Sequence, residues 1–313
     1  MLELDNISKI YKIGTFGGKQ LRAVCDVSFD IGEKEVISLI GESGSGKSTI
    51  GKMILRLIST DSGRIKFDDV DVSTLQGEAL KSYYRKVQGV FQDPFSSYNP
   101  IFKADRVFEI IREEFYPQAK DSEWKERVEQ SLRAVGLNPG DVLNKFPHQL
   151  SGGQLQRFLI ARALLLDIQF LVADEIISML DASTRIDVLN LLVDLKSRGL
   201  SILFITHDLS LGYYISERAV ILYRGCIMEM GPTEKLYFNP LHPYTEMLMA
   251  CVPRLDQKWE EVEVRLKGKQ VEVGRGCVYY DRCPYHDKKL GCESSRPSLV
   301  EVERDHFVAC SRY

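Results

Sequence analysis

Apolar and polar residues alternate in "LELDNI" (residues 2–7) and "AVCDVSFDI" (23–31), and "EVISLI" (35–40) is apolar almost throughout, so three strands are predicted at the start of the chain. The third runs into "GESGSGKSTIGKMILRLI" (41–58), a glycine-rich loop whose second half has the apolar spacing of a helix. Residues 104–166 read as mostly helical and amphipathic, as in "RVFEIIREEFY" and "WKERVEQSLRAVGL", with Pro147 as a break. From Phe170 the pattern becomes strand ("FLVAD"), helix ("STRIDVLNLLVDLKSRG"), strand ("SILFIT"), helix and strand ("AVILY"). Such alternation predicts an α/β core with a mostly parallel sheet. Beyond Pro232 the pattern breaks down, with prolines at 240, 243 and 253, the charged stretch "DQKWEEVEVRLKGK" (256–269) and a cysteine-bearing tail. A domain boundary is therefore expected between about 230 and 260.

Composition narrows the setting. The 313 residues carry a formal net charge of -3, which gives no global attraction for a polyanion, so nucleic acid is not an expected partner. The first residues, "MLELDNISKIYKIG", have no apolar run of the length a signal peptide needs, and no stretch reaches the roughly 18 uninterrupted apolar residues of a membrane span. A cytosolic setting is expected, where stable disulfides are disfavoured.

The candidate chemistry begins with "GESGSGKST", Gly41, Glu42, Ser43, Gly44, Ser45, Gly46, Lys47, Ser48 and Thr49, which fits G-x-x-x-x-G-K-[ST] between a predicted strand and a predicted helix. Its glycines let successive backbone N–H groups converge on phosphate oxygens, and the helix N-terminus adds favourable dipole charge. Lys47 is the candidate for the β- and γ-phosphates and Ser48 for Mg²⁺. "FLVADE" ends a predicted buried strand in two carboxylates: Asp174 is the candidate for the Mg²⁺ shell, and Glu175 for the general base that polarises the attacking water. "QLSGGQLQR" (149–157) turns into another helix through Ser151, Gly152, Gly153 and Gln154, which suits either a simple N-cap or a second phosphate-binding helix end.

With these motifs together, the chain resembles the ATP-binding cassette (ABC) ATPases over nearly its whole length. The resemblance implies a P-loop NTPase (RecA-like) α/β core with an antiparallel β subdomain, a helical subdomain at about 93–165, and a small irregular C-terminal extension. The expected domains are 1–235 for the ATPase and 236–313 for the extension. The resemblance also makes Leu150–Gln154 the signature motif, Gln92 in "VFQDP" the Q-loop residue that meets Mg²⁺, Ser178–Asp181 the D-loop with Asp181, and His207 in "FITHD" the switch histidine. Tyr11 lies where the family places an aromatic against adenine. One departure is visible: Ile176-Ile177 follow Glu175, where the family has Pro-Thr. ATP hydrolysis with Mg²⁺ is implied, in a head-to-tail dimer whose Lys47 loop and partner Ser151 turn close over one ATP.

"GPTEKLYFNPLHPYTEMLMACVP" (231–253) and "QDPFSSYNP" (92–100) are similar to the ATPases of oligopeptide and dipeptide importers, a branch that also includes oligosaccharide and nickel importers. The insertion "GTFGGKQLRAV" (14–24) resembles the second of that branch's two paired ATPases. Implied partners are a paired ATPase subunit in a heterodimer, two membrane permeases and, indirectly, an extracytoplasmic solute-binding protein. The implied place is peripheral, on the cytoplasmic face of the membrane. A soluble cassette ATPase would carry a long coiled-coil insertion or two cassettes, and a regulatory subunit without activity would lack Lys47, Glu175, Ser151 or His207.

The tail holds Cys277, Cys283, Cys292 and Cys310. Four thiolates suit zinc or an iron–sulfur cluster, and their spacing lacks the paired C-x₂-C of a zinc ribbon. Some members of the peptide-importer branch have a similar tail around a [4Fe–4S] cluster, and Arg282, Pro284 and His306 fit that pattern. The resemblance thus implies a cluster, with zinc as the alternative, pinning a tail too poor in apolar residues to fold alone. Cys25, Cys226 and Cys251 read as ordinary small apolar residues.

Overall fold

A computed structural model describes residues 1–13, 19–251 and 276–313. Residues 14–18 of the insertion and the charged stretch 256–269 lie outside the described residues. The chain forms two compact units, one of residues 1–31, 36–73 and 204–313, the other of 32–35 and 74–203.

The first unit contains the expected antiparallel sheet, in the order Lys19–Ile31, Leu2–Ile13, Ser62–Phe67, Val70–Asp71. Two-residue alternation turns Leu2 and Leu4 into the interior while Glu3 stays exposed, and an irregularity between Leu4 and Ile7 brings Ile7 inward as well; opposite them Ile31, Phe29 and Val27 are buried. The β-branched strand Val36–Ile40 is buried at every position and pairs in parallel with Arg218–Tyr223. From there the pairing turns antiparallel. Cys226–Pro232 folds back on Arg218–Tyr223, His306–Val308 pairs with Cys226–Pro232, and Val300–Glu303 closes the edge. The tail therefore supplies a β-hairpin where irregular chain was expected.

Apolar packing alone does not hold that hairpin. Its register rests on a polar group inside the sheet: Glu229 and His306, neither of them exposed, meet with Nε2 of His306 2.7 Å from the carboxylate. The same carboxylate accepts the backbone N–H groups of Leu241 (2.8 Å) and His242 (2.9 Å). His242 in turn caps the helix Pro243–Ala250, its Nδ1 accepting the Tyr244 N–H at 3.0 Å. Burial, and then the charge of Arg312, hold His242 down at about 4, so the neutral imidazole stays an acceptor. Thus "NPLHPYT" is first of all the segment that seats the tail. Tyr244, Tyr223 and Tyr279 pack ring against ring beside it, with centroids 4.7–5.3 Å apart.

In the second unit, Val87–Val90 and Phe170–Asp174 form a parallel pair. Its helices are Arg106–Phe115, Asp121–Ala134, Gly152–Leu164 and Ala182–Ser197. Pro147 opens a short 3₁₀ turn, Pro147–Gln149, before the third of these, which is the break its fixed φ predicts. Phe158 on that helix is fully buried, stacked on Phe108 with centroids 4.6 Å apart. No helix among the described residues is long and apolar enough to cross a membrane.

Candidate active site

In the first unit the loop Gly41–Thr49 joins the buried strand Val36–Ile40 to the helix Lys47–Ile54, as its motif requires. Gly46 at the helix start has φ 106°, and a Cβ there would lie 2.2 Å from the Ala23 carbonyl oxygen, so no other residue fits. No side chain caps this helix at Gly46. Ser43, Gly44 and Ser48 are exposed, while Lys47 is buried, its Nζ donating to the carbonyls of Gly41 (2.7 Å) and Glu42 (3.0 Å). The loop therefore has an exposed rim and a lysine folded beneath it.

His207 is exposed directly after the buried strand Ser201–Thr206. Asp208 behind it caps the helix Leu209–Ile215, accepting from Ser210 N–H at 2.8 Å. Tyr11 is half-buried in the antiparallel sheet opposite Leu21.

The second unit holds Gln92, Ser151–Gln154, Asp174, Glu175 and Asp181. Asp174 ends the buried strand Phe170–Asp174, and Glu175 takes a left-handed backbone with φ 49°. In a non-glycine residue such a conformation costs on the order of 1–3 kcal/mol and concentrates at functional sites. It is held by Ser178, whose N–H (3.1 Å) and hydroxyl (2.9 Å) both donate to the Glu175 carbonyl. Ile176 and Ile177, the departure from Pro-Thr, are both buried. Asp181 caps the helix Ala182–Ser197; hydrogen bonds from Ser183 and Thr184 hold its carboxyl well below the usual carboxylate range.

Ser151 makes a full capping box, accepting from Gln154 N–H at 3.2 Å while its own N–H donates to the Gln154 side chain at 2.9 Å. Gly153 is required by close approach, since a Cβ there would stand 2.5 Å from Thr184 Cγ2 of the next helix. Gln92 is exposed. The backbone before it is tied to the helix Gly152–Leu164 by the buried Gln156, whose Nε2 donates to Phe91 O (3.4 Å), and the half-buried Arg162, whose Nη2 donates to Gly89 O (3.0 Å). Sequence reading passed over both, because each looks like an ordinary polar position on an amphipathic helix.

The tail cysteines lie in the first unit, all four partly buried and all free. Cys277 N–H donates to the Cys292 carbonyl at 2.8 Å, and burial followed by the charges of Cys310, Cys283 and Cys292 pushes the Cys277 thiol up to about 11. Burial likewise raises Cys283 and Cys310. Among the described residues, no three His, Cys, Asp or Glu side chains stand in the arrangement of a metal-ion site. Cys25 and Cys226 are buried side by side as small core residues, whereas Cys251 is exposed.

Residues 24–178 match the family model of the ABC transporter, and residues 228–292 that of the oligopeptide/dipeptide transporter C-terminal region. The chain is 43% identical to a putative peptide import ATP-binding protein of Brucella ovis, over 100% of this chain and 98% of that one. It is 40% identical to the oligopeptide transport ATP-binding protein AppF of Bacillus subtilis, over 100% and 97%. Among solved structures it is similar to a dimeric post-hydrolysis state of an ATP-binding cassette bound to ADP and Pi, at TM-score 0.67 and 30% identity, over 74% of this chain and 99% of that one.

Proposed function

The chain belongs to the ABC transporter family as an ATP-hydrolysing subunit of a peptide importer, and from that premise we propose how its residues divide the work. The loop Gly41–Thr49 wraps the phosphates, Lys47 neutralises their charge, and Ser48, Gln92 and Asp174 hold Mg²⁺. Glu175 orients and deprotonates the attacking water, and His207 holds the γ-phosphate. Tyr11 stacks on adenine. Ser151, Gly152, Gly153, Gln154 and Asp181 serve the ATP held by a paired ATPase subunit, in a head-to-tail heterodimer on the cytoplasmic face of the membrane. The observation that carries this reading is the glycine-built loop between the buried strand and the helix, with Lys47 held beneath it by the Gly41 and Glu42 carbonyls.

Two permeases are the partners that dock on the second unit. Support comes from Phe95, Ile101, Phe102 and Ile110, four large apolar side chains left exposed just after Gln92, Ile101 by 76%. Peptides are the proposed solute, with the ATPase indifferent to their sequence. In proteoliposomes carrying the permeases and both ATPases, the cognate binding protein loaded with oligopeptide is expected to stimulate hydrolysis several-fold and drive uptake. Stimulation by a binding protein that takes only oligosaccharide or nickel would overturn the choice of peptides.

For the tail, we propose that Cys277, Cys283, Cys292 and Cys310 hold a [4Fe–4S] cluster, zinc being the alternative. The support is chemical: four free, partly buried cysteines are the number and type of ligand that such a cluster takes, and Cys310, Cys283 and Cys292 lie near enough to Cys277 to help push its thiol up. A four-iron cluster also keeps its thiolates further apart than a single ion does. The cluster would supply a covalent cross-link between the two ends of the tail. Protein purified without oxygen is expected to be brown, to absorb near 400 nm, and to contain about four irons per chain by cluster stoichiometry. One zinc and no iron would replace the cluster by a single-ion site.

A further inference from the structure

The turn that carries the second tail cysteine also grips the phosphate loop. Arg282, directly before Cys283, donates from Nη1 to the Glu42 carboxylate at 2.9 Å and to the Tyr223 hydroxyl at 3.4 Å. Its guanidinium lies against the rings of Tyr223 and Tyr279, 5.7 and 5.8 Å from their centroids. Glu42 is the second residue of the phosphate loop, and its N–H donates to the Tyr244 hydroxyl at 3.0 Å. Its carbonyl accepts from Lys47. Side chain, N–H and carbonyl of one loop residue are therefore each engaged, two of them by residues C-terminal to the cassette strands.

A second grip reaches the middle of the loop. Arg224 donates to the Val278 carbonyl (3.0 Å) and to both carboxylate oxygens of Asp281 (3.3 and 3.1 Å). Arg224 and Gly225 are both left-handed, with φ 45° and 82°. That turn aims the Gly225 N–H at the Ser45 carbonyl, 2.8 Å away, while the Gly225 carbonyl accepts Cys25 N–H at 2.8 Å. The strained Arg224 backbone persists because Asp281 and Val278 fix its side chain. Both grips originate in residues 278–282, and the Asp281 side chain is only 9% exposed.

We propose that the tail turn Val278–Arg282 is a clamp that sets the shape of the phosphate loop, with Arg282 as its positioning residue acting on ATP through Glu42. An anion cradle of converging N–H groups binds well only when its backbone is held in the binding shape before the ligand arrives. Arg282 touches no phosphate; it removes freedom from the residue whose carbonyl also anchors Lys47. Loss of the grip therefore weakens ATP binding and leaves the chemical step, which depends on other groups, close to its normal rate at saturating ATP.

The proposal rests on Gly41–Thr49 being the ATP loop, so Lys47→Ala serves as its control. In the assembled transporter, Arg282→Ala and Glu42→Gln are each expected to raise the KM for MgATP on the order of tenfold, the size of one charged hydrogen bond, with kcat within about twofold. Combining them should raise it no further, since both remove the same contact. Arg282→Lys keeps one charged donor and should recover most of the affinity. Should Arg282→Ala fail to fold, the part-exposed Glu42→Gln decides alone. An unchanged KM in Glu42→Gln, or fully additive effects in the double variant, would overturn the clamp. Unimpaired ATP binding by Lys47→Ala would overturn the reading of the loop itself and the clamp with it.

Discussion

Replacing Glu175 by Gln is expected to lower ATP hydrolysis in the assembled transporter by a factor on the order of a hundred or more, with ATP still bound. The amide matches the carboxylate in size and keeps its hydrogen-bonding reach, so what it removes is proton affinity. A positioned base contributes about 10²–10⁴-fold to such a step. The backbone supports the assignment: Glu175 is held left-handed at the end of a buried strand by both donors of Ser178. The chain holds that strain with Ile176 and Ile177, both buried, in place of the family's Pro-Thr. Single-turnover hydrolysis and nucleotide retention in the Glu175→Gln complex check this. Hydrolysis at the wild-type rate would mean that another group activates the water.

The strand Val36–Ile40, the loop Gly41–Thr49 and the helix Lys47–Ile54 were legible because they are consecutive and each constrains the next. The same holds for the strand Phe170–Asp174 and for Ser151, whose N-cap hydrogen bonds lie within one turn of chain. Ser62–Phe67 escaped notice because only two of its six positions, Ile65 and Phe67, are buried, too few for alternation to show. The tail hairpin was hidden for a different reason. Its inward residue His306 is polar and is satisfied by Glu229, 77 positions earlier, so an apolar pattern could not mark it. Arg282 is the extreme case, since its partner Glu42 lies 240 positions away. "NPLHPYT" and "RCP" could be noticed as strings, and their roles as seat and clamp exist only once the chain has folded.

The largest loss of stability is expected from Glu229→Ala. Its carboxylate is completely buried and accepts three donors, the N–H groups of Leu241 and His242 and Nε2 of His306. Alanine leaves all three without an acceptor and opens a void between two strands. Leaving a buried donor without its acceptor costs about 1–3 kcal/mol each. His306→Leu should cost less, because Glu229 keeps two backbone donors, and Glu229→Gln less again, because the amide oxygen can still accept one of them. Hydrogen exchange separates these cases: in Glu229→Ala the amides of Leu241, His242 and the strand His306–Val308 should lose protection together, while Phe170–Asp174 keeps its own. Protection of the tail equal to wild type in Glu229→Ala would show that the tyrosine cluster and the cysteine site hold it without the carboxylate. If instead the tail loosens, the KM for MgATP should rise as it does in Arg282→Ala, because the hairpin that Glu229 seats ends in the same extension that carries Arg282 to the phosphate loop.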